Sequence, residues 1–317
     1  HIPISVPAIE EAKTLMMPEF NLRKPADGVP ITIPSAKEMA LGNYYLTSVD
    51  PASVAYKSVF SAQQEAVLAY HLEKIKLRQP IKVRVGSEIM ETTVGRILFN
   101  EALPEQLRFI NEPIRRSTVV ALFNKAFKIF STEEVSHLVD TIKNIGFWAG
   151  TISGLSVSVT DSHISPEKDG IISDANIKVA EINQNFIMGL ITLEEKKRLS
   201  QELWMEITET IADTTWKLIE PSNPLRLIVD AQVGRVSREQ IKQLSGMRGL
   251  VVDPLGNIVD LPIKSNYRQG LSTFEYVNAA RGERKGLSDT SIRTADAGYL
   301  TRRLVDVSHD AIIREVD

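Results

Sequence analysis

The 317-residue chain contains no cysteine, so neither disulfides nor cysteine-ligated zinc can organise it. Its five histidines, His1, His71, His137, His163 and His309, are scattered without the spacing of metal ligands. No Asp-x-Asp occurs either, which removes a compact carboxylate arrangement for holding a hard cation such as magnesium. No apolar run approaches the roughly 18 residues that mark a membrane-crossing helix, and no signal-like start is visible, so a soluble, intracellular protein is expected. Surplus positive charge is missing too: 37 Lys and Arg stand against 40 Asp and Glu, a net charge of −3. A self-sufficient nucleic-acid binder is not built this way, and any such contact must come from local patches. An autonomous hydrolase is the weakest reading, because no clustered acid, nucleophile or metal pattern is present.

With 43% hydrophobic and 24% charged residues the composition is that of an ordinary globular protein, long enough for two or three domains. The patterning predicts a mostly helical α+β fold. Ile9, Ala12, Leu15 and Met16 recur at helical spacing within Ile2 to Met16, whereas Pro25, Gly28 and Pro30 break Arg23 to Pro34 into turns. Ile81 to Val85 alternates like a half-buried strand, with Lys82 and Arg84 on its solvent face. Pro113 to Phe130 and Thr132 to Ile145 read as two helices, the second capped by Ser131 or Thr132 with Glu134 close by. Ile172, Ala175, Val179, Ile182 and Phe186, answered by Leu199, Leu203, Ile207 and Ile211, predict an antiparallel helical hairpin. Thr192 and Glu195 fit a capping box opening its second helix. The pattern alone is equally that of a plain scaffold hairpin.

A long helix is predicted over Thr273 to Asp306, spanning roughly 50 Å. At 100° per residue, Arg281, Arg284, Lys285, Arg302 and Arg303 share one arc of about 100°, and Thr290, Thr294, Ala297 and Thr301 gather opposite. The cationic stripe suits phosphates, and the small side chains let a flat base pair approach the backbone. A solvated surface helix is the competing reading. Against it stand Gly282, Gly286 and Gly298, each costing a helix interior about 1 kcal/mol relative to alanine. They are candidate bending points.

Arg284-Lys285-Gly286-Leu287 with Thr294 to Val307 resembles the bridge helix of the bacterial RNA polymerase β′ subunit. Further blocks resemble that family in the same order: His1 to Ser5, Pro34-Ser35 and Leu41 to Thr47; Ile81 to Val85 and Thr92 to Asn100; Gln243 to Leu250 and Pro262 to Asn266. The resemblance implies a pore-like mixed α/β region over 1–160, a secondary-channel rim hairpin with its following loop over 161–249, and a strand segment with the bridge helix over 250–317. It implies an internal segment, excised or from a split subunit, lying just after the aspartate loop that holds magnesium in the complete enzyme. This segment would supply no catalytic or metal residue and would be inactive alone.

By the same resemblance Arg293, Thr294, Ala295, Tyr299 and Arg302 would contact template, Arg235 the incoming triphosphate, and Gly282, Gly286 and Gly298 would bend during translocation. Glu194 and Glu195 would be docking charges for transcript-cleavage factors, although acids at a helix start also simply complement its dipole. The implied partners are the β, α, ω and sigma subunits, DNA template, nascent RNA and nucleoside triphosphates, in the cytoplasm at the nucleoid, with no membrane. The chain departs from the family at Gly234-Arg235-Val236, where Ala-Arg-Gly is usual, at Val159 to Ser162, and at Glu283, which replaces alanine. Arg248 is read as an anchor of its loop against the bridge helix. A non-catalytic helical interaction or scaffold protein with a basic surface helix is the alternative.

Overall fold

The structure is a computed structural model in which residues 2–24, 27–234 and 236–311 are described. It is mostly helical with one small sheet: α1 (Val6–Leu15), α2 (Lys37–Thr47), β1 (Val59–Phe60), α3 (Gln63–His71), β2 (Ile81–Val85), β3 (Glu88–Thr92), α4 (Val94–Glu101), α5 (Arg116–Ile129), α6 (Thr132–Ser153), α7 (Lys168–Ile187), α8 (Leu193–Leu218), α9 (Pro224–Asp230), α10 (Arg238–Ile241) and α11 (Thr273–Ser308). The chain forms two compact units that interleave in sequence: His1–Asp161 with Ile219–Glu239, and Ser162–Leu218 with Gln240–Asp317.

In the first unit β1 pairs parallel with β2, and β2 antiparallel with β3, Val83 facing Met90 across the hairpin. Ile81 and Val83 point into a core with Phe60, Ala66, Val94 and Ile97, while Lys82 and Arg84 stay exposed, as the alternation predicts. A second core joins Leu46, Phe99, Phe123, Leu138 and Ile142 from α2, α4, α5 and α6. The Ser131 capping box forms, with its hydroxyl and the Glu134 carboxylate satisfying each other's backbone N–H groups. α6 then runs eight residues beyond the Ile145 expected from sequence, ending at Ser153. Gly146 in that extension serves close packing: a Cβ on it would lie 2.6 Å from the Met39 carbonyl oxygen of α2. α5 starts later than expected, at Arg116, because the Ile114 N–H is held by Thr47 Oγ1 at 2.8 Å.

The block Thr92 to Asn100 has structural work to do here. Thr93 caps α4 by accepting from the Arg96 N–H, and the buried Arg96 donates to the Thr47 and Asn111 carbonyls at 2.8 and 3.0 Å. Asn100 exchanges hydrogen bonds with the backbone of Ile110. Part-buried backbone groups of Ile110 and Asn111 and the Thr47 carbonyl at the end of α2 are thus satisfied by side chains.

In the second unit α7 and α8 form the predicted hairpin. Its core gathers Ala175, Trp204, Ile211 and Met247, flanked by Ile172, Val179 and Ile207. Thr208 and Thr215 are buried on α8 at no polar cost, each donating to the carbonyl four residues back at 2.6 and 2.7 Å. The Thr192 hydroxyl accepts from the Glu195 N–H at 3.2 Å, but only half of the expected capping box forms. The Glu195 carboxylate goes instead to Arg198, bridging both Nε and a terminal nitrogen at 3.1 and 2.6 Å. A charge-assisted pair of bonds outcompetes one neutral N–H.

Candidate nucleic-acid interface

Segment 243–275 places the start of α11. Met247 is fully buried against the hairpin, and Gly249 takes a φ of 82° with Thr208 only 3.2 Å from where its Cβ would be. Asn266 Nδ2 donates to the Ser245 and Gly246 carbonyls at 2.8 and 3.1 Å. Lys264 reaches Asn176 at 2.7 Å and lies over the Trp204 ring. The short strand-like pairing of Gly249 with Ile263 then presents Val251 and Ile263 to Ala279, the one buried residue of α11.

Glu275 fastens the helix start. Its carboxylate accepts from the Lys264 and Ser265 N–H groups, the Ser265 hydroxyl, and the Ser272 N–H and hydroxyl, all between 2.8 and 3.1 Å. Partial burial pushes its pKa up, but these hydrogen bonds to the ionised form outweigh it and hold it at about 2, against 4.5 normally. The folded pKa is depressed, so the stabilisation is present above pH 4.5 and is lost as pH falls towards 2. Allowing for solvent screening, it amounts to about 1–2 kcal/mol. Glu275→Gln is expected to lose that much at pH 7 and to flatten acid unfolding in this window, followed by circular dichroism. A variant as acid-sensitive as the parent would refute the assignment.

Along α11 the basic residues part company. Lys285, half-buried, donates to the Pro254 carbonyl at 2.8 Å and so leaves the stripe read from sequence. Arg281, Arg284, Arg302 and Arg303 stay exposed. Arg302 lies 3.9 Å from Asp306, and the Arg303 guanidinium covers one face of the Tyr299 ring at 4.3 Å. Thr290, Thr294 and Thr301 each bond the carbonyl four residues back, at 2.7, 2.6 and 2.8 Å, so their hydroxyl protons are occupied.

Of the residues expected at the template, Ala295, Tyr299 and Arg302 share one face within about 60°, whereas Thr294 lies about 80° beyond its Arg302 edge and Arg293 about 180° from Arg302. All five are exposed. Gly286 and Gly298 have open space around them, whereas a Cβ on Gly282 would meet the Val252 carbonyl oxygen at 2.6 Å. Gly282 therefore has a close-packing reason to be glycine. Glu194 is exposed at the hairpin tip, and Glu195 is tied to Arg198. Arg235 lies outside the described residues. Sequence reasoning missed Glu275 as a fastening residue, although Ser272-x-x-Glu275 is a readable capping-box signature.

Among the described residues no group of three His, Asp or Glu side chains converges to hold a metal ion. No described helix is long and apolar enough to cross a membrane.

Residues 21–162 match the family model for RNA polymerase Rpb1, domain 3, and residues 270–317 that for RNA polymerase Rpb1, domain 5. The whole chain aligns with DNA-directed RNA polymerase subunit β′ of Thermosipho africanus at 42% identity, covering 20% of that protein. It aligns likewise with the β′ subunits of Desulforudis audaxviator, 40% identical and 27% covered, and Symbiobacterium thermophilum, 39% identical and 29% covered. The chain thus spans between a fifth and a third of the length of these relatives.

Proposed function

Since this chain belongs to the family of bacterial DNA-directed RNA polymerase β′ subunits, we propose that it lines the nucleotide-entry channel of such an enzyme and supplies the bridge helix that positions template during RNA synthesis. One observation carries this reading. From Gly286 onward every residue of α11 except the half-buried Asp289 is exposed, yet this stretch bears Leu287, Ile292, Leu300, Leu304 and Val305. A helix this long, with apolar side chains all round and two open glycines, is poorly supported by its own unit and suits a strut enclosed by other surfaces.

In that setting the Ala295–Tyr299–Arg302 face would meet template, with Thr294 beneath the templating base pair and Arg293 bracing a neighbouring loop on the far side. Arg235 would reach the triphosphate, a role suited to a fixed guanidinium charge. The α7–α8 hairpin would form the channel rim, where Glu194 is the free docking charge for transcript-cleavage factors. Nucleotidyl transfer would use magnesium held elsewhere in the enzyme, assembled with β, α, ω and sigma in the cytoplasm at the nucleoid.

Bending would fall at Gly286 and Gly298 rather than at the packed Gly282. Alanine at Gly298 adds about 1 kcal/mol of helix preference and stiffens the open position. In a polymerase carrying this segment, Gly298→Ala is expected to change elongation rate and pausing. An unchanged rate and pause pattern would sink the hinge role.

A further inference from the structure

Beyond the packing of Val251 on Ala279, three contacts join loop 248–254 to α11 between Gly282 and Lys285. Two are backbone approaches: Val252 against Gly282, and Lys285 Nζ to the Pro254 carbonyl at 2.8 Å. The third is the Arg248–Glu283 ion pair, and it is built differently. Only 14% of the Arg248 side chain is exposed, against 59% of Glu283. One terminal guanidinium nitrogen donates to Gln243 Oε1 at 2.7 Å and to the Tyr267 hydroxyl, and the group lies over the Tyr267 ring at 5.2 Å. The other terminal nitrogen donates to Glu283. Nε is buried and has no partner.

Guanidinium does not shed its proton, so this mostly buried cation needs an anion. The loop side offers it only neutral acceptors, Gln243 and Tyr267. Its carboxylate comes from α11. Removing Glu283 would leave a second guanidinium nitrogen unsatisfied beside the unpaired Nε, a costly position for a charge. The pair is therefore a tie between two elements, not a brace within one. It sits one turn before Gly286, where the exposed part of α11 begins.

We propose that Glu283 is a positioning residue that fixes loop 248–254 onto α11 through Arg248, so that the helix is held as far as Lys285 and free from Gly286 onward. The tie rests on geometry alone; its effect on RNA synthesis rests on the function proposed above.

The test compares Glu283→Ala and Glu283→Gln with the parent in the full-length subunit within assembled polymerase. Alanine is the best helix former, so α11 itself should persist. Peptides spanning 248–259 are expected to exchange amide hydrogens about threefold faster or more in both variants. The difference should shrink as salt rises from about 0.05 to 1 M, because the exposed carboxylate is screened. Maximal elongation rate should change by about twofold or more, with the half-saturating triphosphate concentration unchanged, because neither residue would touch nucleotide.

Unchanged exchange would overturn the tie, and a salt-independent difference would overturn its ionic basis. Faster exchange with unaltered elongation would overturn the positioning role. A parent segment that supports no polymerase activity would instead overturn the proposed function, and the exchange comparison would still decide the tie.

Discussion

Alanine at position 42 is expected to destabilise the N-terminal unit by about 2–3 kcal/mol, lowering its unfolding midpoint by roughly 5–10 °C. The reason lies in how α2 crosses α6. A Cβ on Gly42 would fall 1.8 Å from the Gly146 carbonyl oxygen and 2.6 Å from the Gly150 nitrogen. Both are backbone atoms of a regular helix, so neither can rotate away, and the helices must separate. Separation loosens the core that joins Leu46, Leu138 and Ile142. Alanine's better helix propensity returns only about 1 kcal/mol. The matched control is Gly286→Ala on α11, where nothing lies within 4 Å of the new methyl. There the propensity gain stands alone, and a small stabilisation is expected. Thermal unfolding of the two variants would separate these signs; a Gly42→Ala midpoint at or above the parent's would refute the close crossing.

The same glycines explain where the sequence was legible and where it was not. Periodicity located the hairpin, the Ile81–Val85 strand and the long helix, whose expected span of 273–306 became Thr273–Ser308. Those signals are local, carried by residues three, four or two apart. The length of α6 was not local: its extension beyond Ile145 runs where α2 lies against Gly146. Trp204 escaped notice because the stripe counted on α8 used leucine and isoleucine, although the indole is fully buried at the hairpin's centre. Arg96 and Asn100 were legible as members of a family block but not as partners of backbone groups 10 to 49 residues away.

At the candidate interface, helical geometry assigned residues to faces but could not say which charges were already occupied. Lys285 is bound to the Pro254 carbonyl, and Glu195 to Arg198. Glu283 stood out in the sequence only as a departure from family pattern. Its partner, 35 residues earlier, gives the departure a physical meaning.

The largest functional effect is expected from Ala295→Leu. Ala295 is exposed on a continuous helix, and leucine is nearly as good a helix former, so helix content and thermal stability should stay within about 0.5 kcal/mol of the parent. If the Ala295 face lies under the templating base pair, the added isobutyl group would displace it, and misplacement on the scale of 1 Å costs about a hundredfold in rate. Elongation should fall by about that factor. Ala295→Ser supplies the discriminating comparison. Serine disfavours helix more than leucine does, but it is small. If the helix's own stability set the rate, serine would be the worse substitution; if clearance beneath the base pair sets it, serine should run near the parent rate and leucine should not. Equal loss in both variants would remove Ala295 from the template face.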